Sequence, residues 1–149
     1  MTETLRASTA PEGTDAGLTQ LLHDLMPFTA VLGIEALSAS AELVEARATW
    51  DAERCTSGHV LHGGFLMAVA DSVGAACAAY NLAPGATTTT IESKTNFMRR
   101  VGRGQVRICS TPLFVGTTTL VVQTDLIRDD GRLVSRTTQT QAIGGRNAS

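Results

Sequence analysis

The chain has 149 residues, 17% of them charged and 43% hydrophobic, with a net charge of -2. That describes one globular domain with a core of its own, not a disordered chain. A weak negative charge argues against nonspecific nucleic-acid binding, and no apolar stretch of spanning length runs without a break, since Asp71 and Ser72 interrupt the best candidate. Cys55, Cys77 and Cys109 are odd in number and form no CxxC pair, which suits packed, reduced thiols better than disulfides or zinc.

Residues 1–17 are polar, small and Pro/Gly-containing, and read as a mobile tail ahead of a domain at 18–145. No signal-peptide pattern opens the chain, so a cytoplasmic location is expected. Leu18, Leu21, Leu22 and Leu25 sit at helical spacing, predicting a short amphipathic helix that Pro27-Phe28 ends. "LGIEALSAS" and "AELVEARATW" read as strands, the second alternating Leu43, Glu45 and Arg47 against Val44, Ala46 and Ala48. A loop at 51–61 leads to Gly63-Gly64, which opens a long helix. "TTTTIESKTNFM", "GQVRICSTPLFV", "TTTLVVQTDLI" and "RLVSRTTQTQAI" then read as four strands. They are separated at Gly102-x-Gly104, at Gly116 and at the hairpin signal Asp129-Asp130-Gly131. The expected class is α+β: an antiparallel sheet wrapped around one central helix.

That helix carries no polar stripe, and a helix apolar all round is normally buried. Asp71 in its middle is therefore expected to be at least partly desolvated. An unpaired buried carboxylate is costly, so it is either satisfied by backbone or threonine donors or it is chemical, a base or nucleophile in an apolar pocket. His62-Gly63-Gly64 marks the helix start, where unpartnered N–H groups and the positive helix end suit a developing oxyanion. Gly63 lies eight residues before Asp71, roughly 12 Å along a helix rising 1.5 Å per residue. One copy of the helix cannot place both groups against one carbonyl, so the site is expected to lie between two subunits.

His62-Gly63-Gly64, four residues and "VAD" ending in Asp71 resemble the HGGxxxxLAD signature of hotdog-fold acyl-CoA thioesterases, of the phenylacetate-pathway and 4-hydroxybenzoyl-CoA type. "KTNFMRRV" is similar to that family's next strand, and the segment from Val115 to Ile143 to its last hairpin. The resemblance implies hydrolysis of an aryl- or medium-chain acyl-CoA in a homodimer, often doubled to a homotetramer. Coenzyme A is then part of the substrate, with no metal and no further cofactor. It implies Asp71 as catalytic carboxylate, Gly63 as the N–H donor to the thioester carbonyl, and His62 and Gly64 as residues that shape that turn. Thr90 falls where some members place a hydroxyl that holds the hydrolytic water. Thr56 stands where the family often has Asn or Gln, and a one-residue gap would put Ser57 there instead.

A coenzyme brings phosphates, and Lys94, Arg99, Arg100, Arg103 and Arg107 fall within 14 positions. They read either as a solvated strand edge or as a phosphate patch. Arg99 matches a coenzyme-binding arginine of the family, Arg100 replaces its usual proline, and Gly116-Thr117-Thr118 matches a turn that touches the coenzyme. A hotdog hydratase and a non-catalytic acyl-CoA sensor are the rival readings. The first lacks a D-x-N-P-x-H-like segment here, and the second would usually lose the helix acid.

Overall fold

A computed structural model describes residues 13–145. Most of the tail expected at 1–17 lies outside the described residues, and its last residues are already structured. Asp15 accepts a hydrogen bond from the Leu18 N–H at 2.9 Å and caps α1 (Ala16–Leu25). Pro27 does more than end α1. It occupies the first position of a second short helix, α2 (Pro27–Val31), where proline's missing N–H is no loss.

The expected strands follow: β1 (Glu35–Ala39), β2 (Val44–Thr49), β3 (Thr87–Phe97), β4 (Gln105–Val115), β5 (Thr119–Arg128) and β6 (Leu133–Gly144), with helix α3 (Gly63–Ala79) between β2 and β3. They form one antiparallel sheet in the order β1-β2-β4-β5-β6-β3. Strand β3 therefore does not pair with its chain neighbour β4. It closes the far edge against β6, and the sheet curls around α3 in the hotdog architecture.

The core is the meeting of α3 with the inner sheet face. Leu66, Val69, Ala70, Val73 and Cys77 pack against Val106, Ile108, Leu120, Val122, Leu126 and Val134, all buried. Each buried Val or Leu contributes about 1.5–3 kcal/mol relative to exposure. Val44, Ala46 and Ala48 point inward as their alternation predicts. At Asp129-Asp130-Gly131 the chain reverses with Gly131 at φ 78°, and the Gly131 N–H donates to the Arg128 carbonyl at 2.8 Å.

Two features position the site. A row of hydroxyls crosses the inner face in register, from Ser110 to Thr124 at 2.6 Å and from Thr137 to Thr95 at 2.7 Å. Helix α3 comes closest to the sheet beside this row, at Gly74. A Cβ there would fall 2.1 Å from Gln139 Oε1 and 3.3 Å from Thr124 Oγ1. The second feature is a bulge between Thr90 and Glu92 in the β3–β6 ladder. The extra residue reverses the parity of β3 and lets Thr90 and Phe97, seven positions apart, both face the helix.

Candidate active site

Asp71 leaves α3 on a stripe that the subunit's own sheet does not cover. Gly64, Met67 and Asp71 are exposed and Ala68 and Ala75 half-buried, whereas Val69, Ala70, Ser72, Val73 and Gly74 are buried. The expected desolvation of Asp71 does not hold within one subunit. The reason is geometric: a single curved sheet covers only part of a helix circumference.

The carboxylate is nevertheless held. Thr90 Oγ1 donates to Asp71 Oδ1 at 3.3 Å, and Gln139 Nε2 donates to the same oxygen. Gln139 Nε2 also lies 3.1 Å from Thr90 Oγ1, and Gln141 Nε2 donates to that hydroxyl at 2.9 Å. With all these donors on one side, Oδ2 takes no hydrogen bond among the described residues. Gln139 and Gln141 were missed in the sequence although a signal was present. Alternate positions Ser135, Thr137, Gln139 and Gln141 are all polar on the face of β6 that should be apolar, and all four are buried.

A second cluster forms about 12 Å along the helix axis from Asp71, at the start of α3. His62 caps the helix, its Nδ1 accepting the Gly64 N–H at 2.8 Å. Gly64's donor is thereby used, while the Gly63 N–H has no partner among the described residues. The Phe97 ring stands 3.3 Å from where a Gly63 Cβ would be, so a side chain there would press on the ring and shift it by a few tenths of an ångström. Gly63, Phe97, Met98, Arg99 and Arg100 line one surface depression. Arg99 donates to the Leu133 carbonyl at 2.9 Å.

Other expected residues stand apart. The Thr56 carbonyl accepts from the His59 N–H at 3.0 Å and its own N–H donates to Val60 at 2.9 Å, in a turn where His59 adopts φ 55°. Among the described residues the Thr56 hydroxyl bonds to neither Asp71 nor Thr90. The basic run does not form one patch. Arg107 pairs with Glu45 on β2, and Lys94 lies on β3, three strands away from β4 or about 14 Å at sheet spacing. Arg100 and Arg103 instead share a depression with Arg128, which the sequence reading did not include and which pairs with Asp130. Gly116, Thr117 and Thr118 form the β4–β5 turn at the opposite end of the sheet from Arg99. The register puts Phe97 beside Ser135 but Thr119 beside Ala142.

The chain thus carries a held carboxylate and an open helix-start N–H beside arginines, too far apart to act on one carbonyl. Among the described residues no helix is long and apolar enough to cross a membrane.

Known proteins are similar to this chain in sequence and fold. The Thioesterase superfamily description matches residues 58–135. A putative esterase of Haemophilus influenzae is 31% identical over 109 residues, covering 72% of this chain and 79% of that protein. The crystal structure of a thioesterase from Haemophilus influenzae is similar with a TM-score of 0.80 at 26% identity, covering 86% of this chain and 88% of that one. A conserved protein from Pseudomonas aeruginosa is similar with a TM-score of 0.74 at 26% identity, covering 78% and 93%.

Proposed function

The chain belongs to the thioesterase superfamily and is a thioester hydrolase, and we propose that it cleaves acyl-coenzyme A at a site completed by a second copy of itself. The observation that carries this reading is the separation of the held Asp71 from the unpartnered Gly63 N–H.

Strand β3 offers the means of joining them. It is an edge strand of 11 residues, nearly all exposed, including Ile91 at 63% and Phe97 at 50%. Such an edge is a template for pairing, and a two-fold dimer is the commonest closed solution. Thr90 stands beside Asp71 and Phe97 beside Gly63. Antiparallel pairing about an axis midway between positions 90 and 97 sets Thr90 opposite Phe97 of the partner subunit. Asp71 then faces Gly63 of the partner subunit. The same axis sets Thr88 opposite Arg99 of the partner subunit. Thr88 pairs with Ile143, whose N–H donates to Thr118 at 2.8 Å, so the glycine–threonine turn and the arginines come within three strand spacings, about 14 Å. The exposed stripe of α3 would be covered, and Asp71 desolvated, by the second copy.

In that site the partner's Gly63 N–H polarises the thioester carbonyl. A water attacks the carbonyl carbon and gives its proton to Asp71 Oδ2, while the carbonyl electron pair moves to the oxygen held by the N–H. Collapse breaks the C–S bond, and the thiolate leaves with the proton from Asp71. Thr90 and Gln139 fix the carboxylate at Oδ1, which suits a base that stays in place better than a nucleophile that must close on the carbon. The arginines meet the nucleotide phosphates.

Release of coenzyme A thiol from a panel of acyl-CoAs, followed with a thiol reagent, tests the reading. Asp71→Asn should lower kcat at least about a hundredfold, the usual scale of lost acid–base catalysis, with the fold intact. Near-normal turnover in that variant would sink the assignment.

A further inference from the structure

Helix α1 is amphipathic, yet it buries none of its residues completely. It is fastened along β1 by polar bonds. Thr19 Oγ1 accepts the Ala36 N–H at 2.9 Å, His23 Nε2 meets the Ile34 carbonyl at 2.7 Å, and the Asp15 N–H donates to the Ala36 carbonyl at 2.9 Å. These bonds hold its leucine face beside a void, with Leu22 alone reaching the core. The void, open to solvent where Leu25 and Tyr80 are exposed, holds about 290 Å³ between Leu18, Leu22 and Leu25 on one side and Val73, Ala75 and Ala79 of α3 on the other. Alanines on α3 create it, and no charged residue lines it.

Its position ties it to the carboxylate. Ala75 follows Asp71 by one helical turn on the same face, and Thr88, which also lines the void, precedes Thr90 by two positions on the same face of β3. An acyl group whose carbonyl lies at Asp71 has about 6 Å, one helical turn, to run along α3 before it reaches Ala75, and the cavity continues from there toward Tyr80.

We infer that this α1–α3 cavity receives the acyl chain, and that the preferred acyl group is an unbranched alkyl chain of about eight to ten carbons, not a single aromatic ring. The inference rests on the proposed acyl-CoA hydrolysis. Size decides between the two classes. A cavity of roughly 150 Å³ suffices for benzene, so one ring would leave about half of this space empty, whereas a medium alkyl chain fills it. Shape agrees, because the lining runs along the helix and is mostly apolar, with Thr88 and Tyr80 its hydroxyl-bearing residues.

The test is a series of straight-chain acyl-CoAs from acetyl to dodecanoyl, with benzoyl-CoA and phenylacetyl-CoA alongside. Expected is a rise in kcat/KM of about three- to fourfold per added methylene, the transfer value of a buried CH₂, ending near eight to ten carbons. Ala79→Leu, at the far end of the void, should lower the decanoyl-to-butyryl ratio of kcat/KM at least tenfold. A flat chain-length profile, a preference for the aryl substrates, or an unchanged ratio in Ala79→Leu overturns the inference. Calorimetric binding of butyryl-CoA and decanoyl-CoA to the Asp71→Asn protein separates it from the reading beneath it. Chain-length-dependent binding without hydrolysis in the wild type would keep the pocket and discard the acyl-CoA hydrolase. Hydrolysis with binding indifferent to chain length would do the reverse.

Discussion

Gln139 reaches from the inner face of β6 to Asp71 on α3, giving its Nε2 hydrogen to the carboxylate while its own Oε1 is buried without a hydrogen-bond partner among the described residues. A buried acceptor left unpaired costs about 1–3 kcal/mol, so the amide is held at some expense to the fold in an orientation that serves Asp71. Gln139→Met keeps the volume and removes the donor. kcat should fall about ten- to a hundredfold, the scale of a misplaced catalytic group, with KM within about twofold. In an Asp71→Asn background the same change should cost nothing further in rate, because the group it positions is already gone. Equal losses in both backgrounds would make Gln139 a packing residue only.

Gly74 lets that amide lie flat against the helix. Gly74→Ala places a methyl 2.1 Å from Gln139 Oε1, so the glutamine must move. We expect a loss of about 1–3 kcal/mol in urea unfolding, typical of overpacking, together with lower kcat. Adding Gln139→Ala should restore stability but not turnover.

The proposed two-subunit site makes a complementation experiment decisive. Gly63→Pro removes the open N–H at a helix position that tolerates proline, and Asp71→Asn removes the base. Each variant alone should be inactive. Co-refolded mixtures should regain part of the activity, since every mixed dimer holds one site with both groups intact. A mixture that contains proven heterodimer and stays inactive would refute the two-subunit site.

Arg99 lies with Gly63 in one depression. Arg99→Ala should raise KM for all acyl-CoAs by a similar factor and leave a short thioester without the nucleotide nearly unaffected. Equal damage to both substrates would assign the arginine to the Leu133 carbonyl it already holds.

Cys77 is fully buried in the core, and burial pushes its thiol up from 9.0 to about 11. A folded value above the unfolded one means the contribution to stability is complete below about pH 9 and is lost as pH rises through about 11. Between those limits the urea midpoint of the native chain should fall more steeply than that of Cys77→Ala. At pH 8, alkylation should reach Cys55, which is partly exposed, well before Cys77.

The residue pattern by itself determined the elements and most of their faces. Alternation at Val44, Ala46 and Ala48, the small residues of α3, the His62-Gly63-Gly64 start and the Asp129-Asp130-Gly131 reversal are local signals, because side-chain period and turn chemistry act within a few residues. Helical rise alone also separated Gly63 from Asp71. Strand neighbours are different, since pairing across the sheet leaves no mark on either segment. Only the fold decided that β3 lies against β6, which scattered Lys94 and Arg107 and set the Gly116 turn at the opposite end from Arg99. Only the fold showed the bulge after Thr90 that turns both Thr90 and Phe97 inward, and the inward aim of Gln139 and Gln141. An apolar helix surface announces that something must cover it, but not what. On α3 the subunit's own sheet covers one side, and Asp71 stands on the other.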